Sequence, residues 1–81
     1  MLKIDRSFIA KVHEKENYKA IVKTIIDLAK NLNMSTVGEG IEHEEDANLL
    51  DNMACEYGQG YFFAKPLPIE NIISDIISRK D

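Results

Sequence analysis

Met34-Ser35-Thr36-Val37-Gly38-Glu39-Gly40-Ile41-Glu42 lies near the middle of the 81-residue chain, and its reading decides the fold. A short apolar run from Met34 to Val37 leads into a carboxylate flanked by glycines, and a helical pattern follows at once. That is a strand running into a loop with an acid at its carboxyl end. In parallel α/β proteins chemistry collects at such places, because the strand fixes the side chain while the loop leaves it open to a ligand. Glu39 is therefore the reference point for the remaining segments.

Upstream of this stretch, residues 18–31 carry a helical pattern. Ala20, Ile21, Ile25, Leu28, Ala29 and Leu32 recur at three- and four-residue spacing, with Lys19, Lys23 and Lys30 elsewhere on the wheel. The expected buried face is that apolar set. Asn17 is the expected cap at its start, and Asn31 and Asn33 can take the left-handed conformation that ends a helix. Lys11 to Asn17 reads as a polar connection, and Phe8, Ile9 and Val12 as a loop or short turn with buried character. Met1 to Ile4 alternates, so it reads as a strand with Leu2 and Ile4 on one face and Lys3 and Asp5 on the other.

Downstream, a second helix begins at or just before His43. Glu44, Glu45 and Asp46 fall in its first turn, where acids favour the positive end of the helix dipole. Ala47, Leu49, Leu50 and Met53 give it an apolar face, and it ends near Ala54. Glu56 to Phe63 reads as a short extended run, weakened by Gly58 and Gly60. Pro68 is expected at the first position of a last helix. In that helix Ile69, Ile72, Ile73, Ile76 and Ile77 form one stripe opposite Glu70, Asn71, Asp75 and Arg79.

The order is strand, helix, strand, helix, short strand, helix: three successive βα units of the α/β class, with parallel strands and right-handed crossovers. Three parallel strands leave two unpaired edges and do not finish an architecture. The expected whole is a (β/α)₈ TIM-type barrel or larger sheet, of which residues 1–81 are one part.

Composition sets outer bounds. A chain of 81 residues makes one small domain at most and buries only about 60% of the surface its unfolded form exposes. With 44% hydrophobic and 30% charged residues it is an ordinary globular composition, unlike a disordered or collagen-like one. A net charge of -4 disfavours binding to a nucleic acid polymer. Cys55 is the single cysteine, which excludes an internal disulfide and fits a reducing, cytoplasmic setting. No apolar run is long enough to span a bilayer, so no membrane contact is expected from this segment.

Read from the residues alone, the candidates for chemistry are Lys3 and Asp5 at the end of the first strand, Glu39 and Glu42 at the end of the second, and Gln59 in the third. All sit at or near strand carboxyl ends, which converge in one mouth in a parallel barrel. Carboxylates with a lysine suit divalent-metal binding and phosphoryl or proton transfer. Plainer readings stand beside these: Lys3 and Asp5 as an ion pair at a solvated strand end, Glu42 as a helix-start carboxylate, Glu39 as an exposed loop acid. His13 falls in a charged connection, His43 at a helix start, and Cys55 reads as a packed small hydrophobe.

Leu2-Lys3-Ile4-Asp5-Arg6-Ser7-Phe8-Ile9, then Gly38-Glu39-Gly40-Ile41-Glu42, then Gln59-Gly60-Tyr61-Phe62-Phe63-Ala64-Lys65-Pro66-Leu67-Pro68 together resemble the last third of the EAL domain family. These are bacterial cyclic-di-GMP phosphodiesterases of signal transduction, built on a (β/α)₈-type barrel with one reversed strand. The resemblance implies metal-dependent hydrolysis of cyclic-di-GMP to pGpG, with Mg²⁺ or Mn²⁺ as cofactor of the complete domain. It implies Lys3 and Glu39 as catalytic residues, Asp5 and Glu42 as supporting ones, and Gln59 as a residue of the substrate pocket. Glu39 would also be the one candidate metal ligand in an incomplete site. Gly38 stands where the family usually has alanine, and Ile41 replaces valine.

The family's Glu-x-Leu signature, metal-binding asparagine and glutamate, and Asp-Asp-Phe-Gly motif have no counterpart in these residues. The expectation is a C-terminal fragment of an EAL domain that binds no metal and is inactive alone. Two rivals remain: a degenerate domain that binds cyclic-di-GMP without cutting it, and a structural fragment that forms a homo-oligomer through its exposed sheet edges.

Overall fold

In the computed structural model, which describes residues 1–60 and 65–79, the local signals of the sequence resolve into eight elements. In chain order they are β1 (Leu2–Ile4), α1 (Arg6–Ile9), α2 (Glu16–Asn31), β2 (Thr36–Ile41), α3 (Glu44–Asn52), β3 (Tyr57–Gly60), β4 (Leu67–Pro68) and α4 (Ile69–Ser78). The strands form one sheet in the order β1-β2-β3-β4. β1 and β2 are parallel, as are β2 and β3, while β4 returns antiparallel to β3. The alternating βα order is thus observed, but as a mixed four-stranded sheet. β4 was not anticipated: two residues, one of them Pro68, carry no strand periodicity.

The core lies between the sheet and its helices. Ile4, Ile26, Ile41, Leu50 and Ile72 are all at most 1% exposed. A Cβ built on Gly38 would lie 3.0 Å from Leu50 Cδ1, and one on Gly58 only 2.7 Å from Ile41 Cδ1 and 3.0 Å from Ile72 Cγ1. The helix side of β2 and β3 is therefore tightly packed, and a side chain at either place has to displace a leucine or isoleucine methyl.

Several local expectations change. Phe8 and Ile9 belong to a short helix, started by Asp5, whose carboxylate accepts a bond from Ser7 N. α2 begins two residues early, with Lys15 and not Asn17 at its cap and no side-chain bond there. Its far end follows the sequence: Asn33 takes φ 56°, and Met34 N–H closes on Ala29 O at 2.8 Å. Pro68 caps α4 and is not its first residue.

The largest correction concerns which side of α2 is buried. The inward residues are Val22, Ile26 and Ala29. Of the expected apolar set only Ala29 is buried and Ile25 half-buried; Ala20 is exposed, as are Ile21 at 41%, Leu28 at 54% and Leu32 at 59%. Two apolar stripes share this helix, and spacing alone gives no reason to choose between them. α4 behaves as expected at its start, with Ile69 and Ile72 buried, but Ile77 at its end is 50% exposed.

Candidate functional site

Strand alternation places every second residue on one sheet face, and parallel register carries that face across strands. Lys3 pairs with Val37, Val37 with Tyr57, and Glu39 with Gln59. Lys3, Val37, Glu39, Tyr57 and Gln59 thus share one face. The opposite face holds Ile4, Gly38 and Gly58 and is the one that meets Leu50, Ile69 and Ile72. The structure therefore brings Lys3, Glu39 and Gln59 together on the side away from the helices. Gln59 stands directly beside Glu39, one strand spacing or about 4.8 Å away, and Lys3 lies diagonally behind on the other flank.

Glu39 does not sit in a loop. β2 continues through it to Ile41, because β3 gives it a partner as far as Gly60, and the register shifts between Glu39 and Ile41. That irregularity falls at Gly40, which has φ +72°. A Cβ there would lie 2.8 Å from Arg6 Cβ. Gly40 is thus required twice, by backbone conformation and by the approach of α1. The bulge ends the ladder just past the carboxylate, and both Glu39 and Gln59 are half-buried.

Asp5 and Glu42 stand apart from this trio. Asp5 is exposed and accepts from Ser7 N at 3.0 Å and from Ser7 Oγ at 2.6 Å. The Ser7 hydroxyl, and then its backbone N–H, hold the Asp5 carboxyl below the usual range. Its visible work is to cap α1, which fixes the chain just after Lys3. Glu42 follows β2 and lines a cavity of about 120 Å³ with Arg6, Ala10, Gly40, His43 and Asp46.

Two features were not read from the sequence. Tyr57 shares the Glu39 face, and its period-two relation to Gln59 was the signal available. His13, in the charged connection, bonds Asp46 through Nδ1 and Oδ1 at 2.5 Å, and Asp46 is only 2% exposed. The two lie 33 residues apart, so nothing local links them. Burial pushes the Asp46 carboxyl above its usual range despite the His13 bond. Cys55, buried as expected, has a thiol pushed up by desolvation, which makes it a packing residue and a poor nucleophile.

A half-buried carboxylate beside an amide, with an ammonium on the same face, can accept a proton, orient a water and hold one anionic group. It cannot by itself hold a metal pair. Among the described residues no three His, Cys, Asp or Glu side chains converge on a metal position. The neighbour of Glu39 across β3 is an amide and not a second carboxylate. Among the described residues these do not fit a divalent-metal centre on their own.

The class defined by this arrangement is an α/β protein whose polar residues gather on the strand face opposite the covering helices. The EAL domain model matches residues 1–66, and the chain belongs to the EAL domain family. It is 37% identical over 71 residues to the oxygen sensor protein DosP of Escherichia coli strain K12, covering 88% of this chain and 9% of that protein. It is 33% identical over 72 residues to the cyclic di-GMP phosphodiesterase RocR of Pseudomonas aeruginosa, covering 89% of this chain and 18% of RocR. Among solved structures, the PaMucR phosphodiesterase in complex with c-di-GMP aligns with a TM-score of 0.72 at 37% identity, over 88% of this chain and 29% of that one. The EAL domain of Mycobacterium smegmatis DcpA aligns with a TM-score of 0.72 at 32% identity, over 96% of this chain and 35% of that one. The chain thus spans well under half the length of each of these proteins.

Proposed function

We propose that this chain is the part of a cyclic-di-GMP phosphodiesterase that supplies one wall of the active site, in a partial (β/α)₈ TIM-type barrel made of its three βα units. The observation that carries the reading is the common face of Lys3, Glu39 and Gln59, which come from three separate motifs and three separate strands. In the complete domain, where Mg²⁺ or Mn²⁺ would be held largely by other residues, the reaction is hydrolysis of one phosphodiester bond of cyclic-di-GMP to give pGpG. Lys3 orients the phosphate or the attacking water, Glu39 helps to take the water's proton, and Gln59 contacts the substrate. Asp5 supports Lys3 by fixing the turn after β1, and Glu42 supports the loop after β2. Relatives carrying the phosphodiesterase name support the substrate assignment.

The chain alone holds Glu39 but lacks most of the metal ligands and is inactive, and association of copies belongs to the same reading. A cytoplasmic setting is part of the same reading, supported by the free thiol of Cys55; among the described residues no helix is long and apolar enough to cross a membrane.

The test is a graft. Residues 1–81 replace the matching segment of an active EAL relative, and cyclic-di-GMP hydrolysis is followed with Mn²⁺. The chimaera is expected to turn over, Glu39→Gln in it to abolish turnover, and the 81-residue chain alone to do nothing. A folded but inert chimaera, or turnover by the isolated chain at an enzymatic rate, overturns the proposal.

A further inference from the structure

Just past Glu39 the register of β2 shifts at Gly40, and the chain crosses to α3 over Glu42 and His43. That crossing is not fastened by its own helix. His43, the cap residue of α3, makes no side-chain cap bond. Asp46 is the third residue of α3, the position from which a capping-box acid turns back to the helix start. Its carboxylate reaches instead across 33 residues, Oδ1 meeting His13 Nδ1 at 2.5 Å. The His43 ring also stands edge-on to that of His13, with centroids 6.4 Å apart and planes at 72°.

Close packing does not set this arrangement. Between α1 and the start of α3 lies the cavity of about 120 Å³ lined by Arg6, Ala10, Glu42 and Asp46. Two contacts join the α1 segment to the crossing. In one, Arg6 comes so near the bulge that a Cβ on Gly40 would lie 2.8 Å from Arg6 Cβ. In the other stands His13, in a turn anchored by Val12, its fully buried neighbour. Asp46 enters that contact only 2% exposed, with its carboxyl pushed up by desolvation. A buried carboxylate is a costly way to fasten a helix start that a surface serine or threonine would hold as well. What it adds is a fixed position relative to α1.

We infer that His13 and Asp46 are positioning residues for Glu39: they tie the crossing from β2 to α3 to the α1 turn, and so hold the bulge beside the Glu39 carboxylate. Neither shares the sheet face of Lys3, Glu39 and Gln59; they act through the backbone of residues 40–43. The effect of the pair on rate rests on the catalytic reading of Glu39 proposed above, and its effect on the loop does not.

Asp46→Ala breaks the tie without stranding a buried group, because the His13 side chain is 32% exposed and can turn to water. In the 81-residue chain, amide hydrogen exchange of residues 39–43 is expected to quicken by about ten-fold relative to the amides of Val22 and Ile26 in α2, which report the fold as a whole. A bond that only added stability would move both sets alike. Asp46→Asn, which keeps an acceptor for His13, is expected to restore the wild-type ratio. In the chimaera, Asp46→Ala is expected to lower kcat per folded domain by about ten- to a hundred-fold with KM within about two-fold, and Asp46→Asn to recover most of it. An equal change in both sets of amides or none, no rescue by Asp46→Asn, or an unchanged kcat in the Asp46→Ala chimaera overturns the inference. An inert wild-type chimaera refutes the catalytic reading, and the exchange comparison then decides by itself whether the pair holds the loop.

Discussion

The two faces of the sheet are made from the same strands and have opposite chemistry. On the helix side Ile4 is buried, and Gly38 and Gly58 lie against Leu50, Ile69 and Ile72 so closely that an added methyl group has to displace a side chain. On the other side Glu39, Tyr57 and Gln59 are half-buried, Lys3 is exposed and Val37 alone is fully buried, and none of them belongs to that core cluster. Alternation by one residue separates what holds the fold from what the fold displays. Substitutions on the first face should therefore change stability, and those of the polar residues on the second, Val37 being set apart by its burial, should change only what the protein does with a ligand.

The strongest test of that division is Leu50→Ala. It empties the space above Gly38 and is expected to cost about 3 kcal/mol, enough to unfold much of a chain this small, as read by the urea midpoint. Gly58→Ala comes next, at about 2 kcal/mol, because the added methyl meets isoleucine side chains on three sides. Gly40→Ala is expected to cost about 1–2 kcal/mol through its φ of +72° and the nearby Arg6. It should also disturb Glu39, so the amide shifts of residues 39–42 should move more than those elsewhere.

A smaller effect depends on pH. Asp46 titrates above its ordinary 3.8 in the fold because burial disfavours its charge. Its contribution to stability is therefore full below 3.8 and is lost as pH rises through the raised value. Asp46→Asn keeps an acceptor for His13 and removes the titration. Urea midpoints measured upward from pH 3 should fall less steeply in this variant than in the wild type. Smallest of all on stability is Glu39→Gln, expected within about 0.5 kcal/mol of wild type, although the same change should abolish hydrolysis in the grafted domain. A large destabilisation by Glu39→Gln would break the division between the faces.

Much of this arrangement could be read in the sequence where one periodicity dominated. α4 has a single isoleucine stripe and α3 a first turn of three acids, and both form where those signals fall. β2 was visible as an apolar run, but its extension through Gly38, Glu39 and Gly40 was not. Glycine is a poor strand former, and here the strand continues because β3 pairs with it. α2 misled for a different reason: Ile25 and Ala29 fit both of its stripes, and periodicity reports spacing without saying which direction the core lies. The trio Lys3, Glu39 and Gln59 was legible because each follows from strand position. The His13–Asp46 bond was not, since only tertiary structure brings residues 33 apart together.

β4 is the least conspicuous element, two residues ending in a proline, yet it changes what can happen to the chain in a crowded solution. An unfinished sheet is ordinarily a template on which further strands grow without limit. Here the outer border presents Pro68, which has no N–H to offer a newcomer, and the opposite border presents the ammonium of Lys3. Both borders of the described sheet therefore oppose the addition of a further strand.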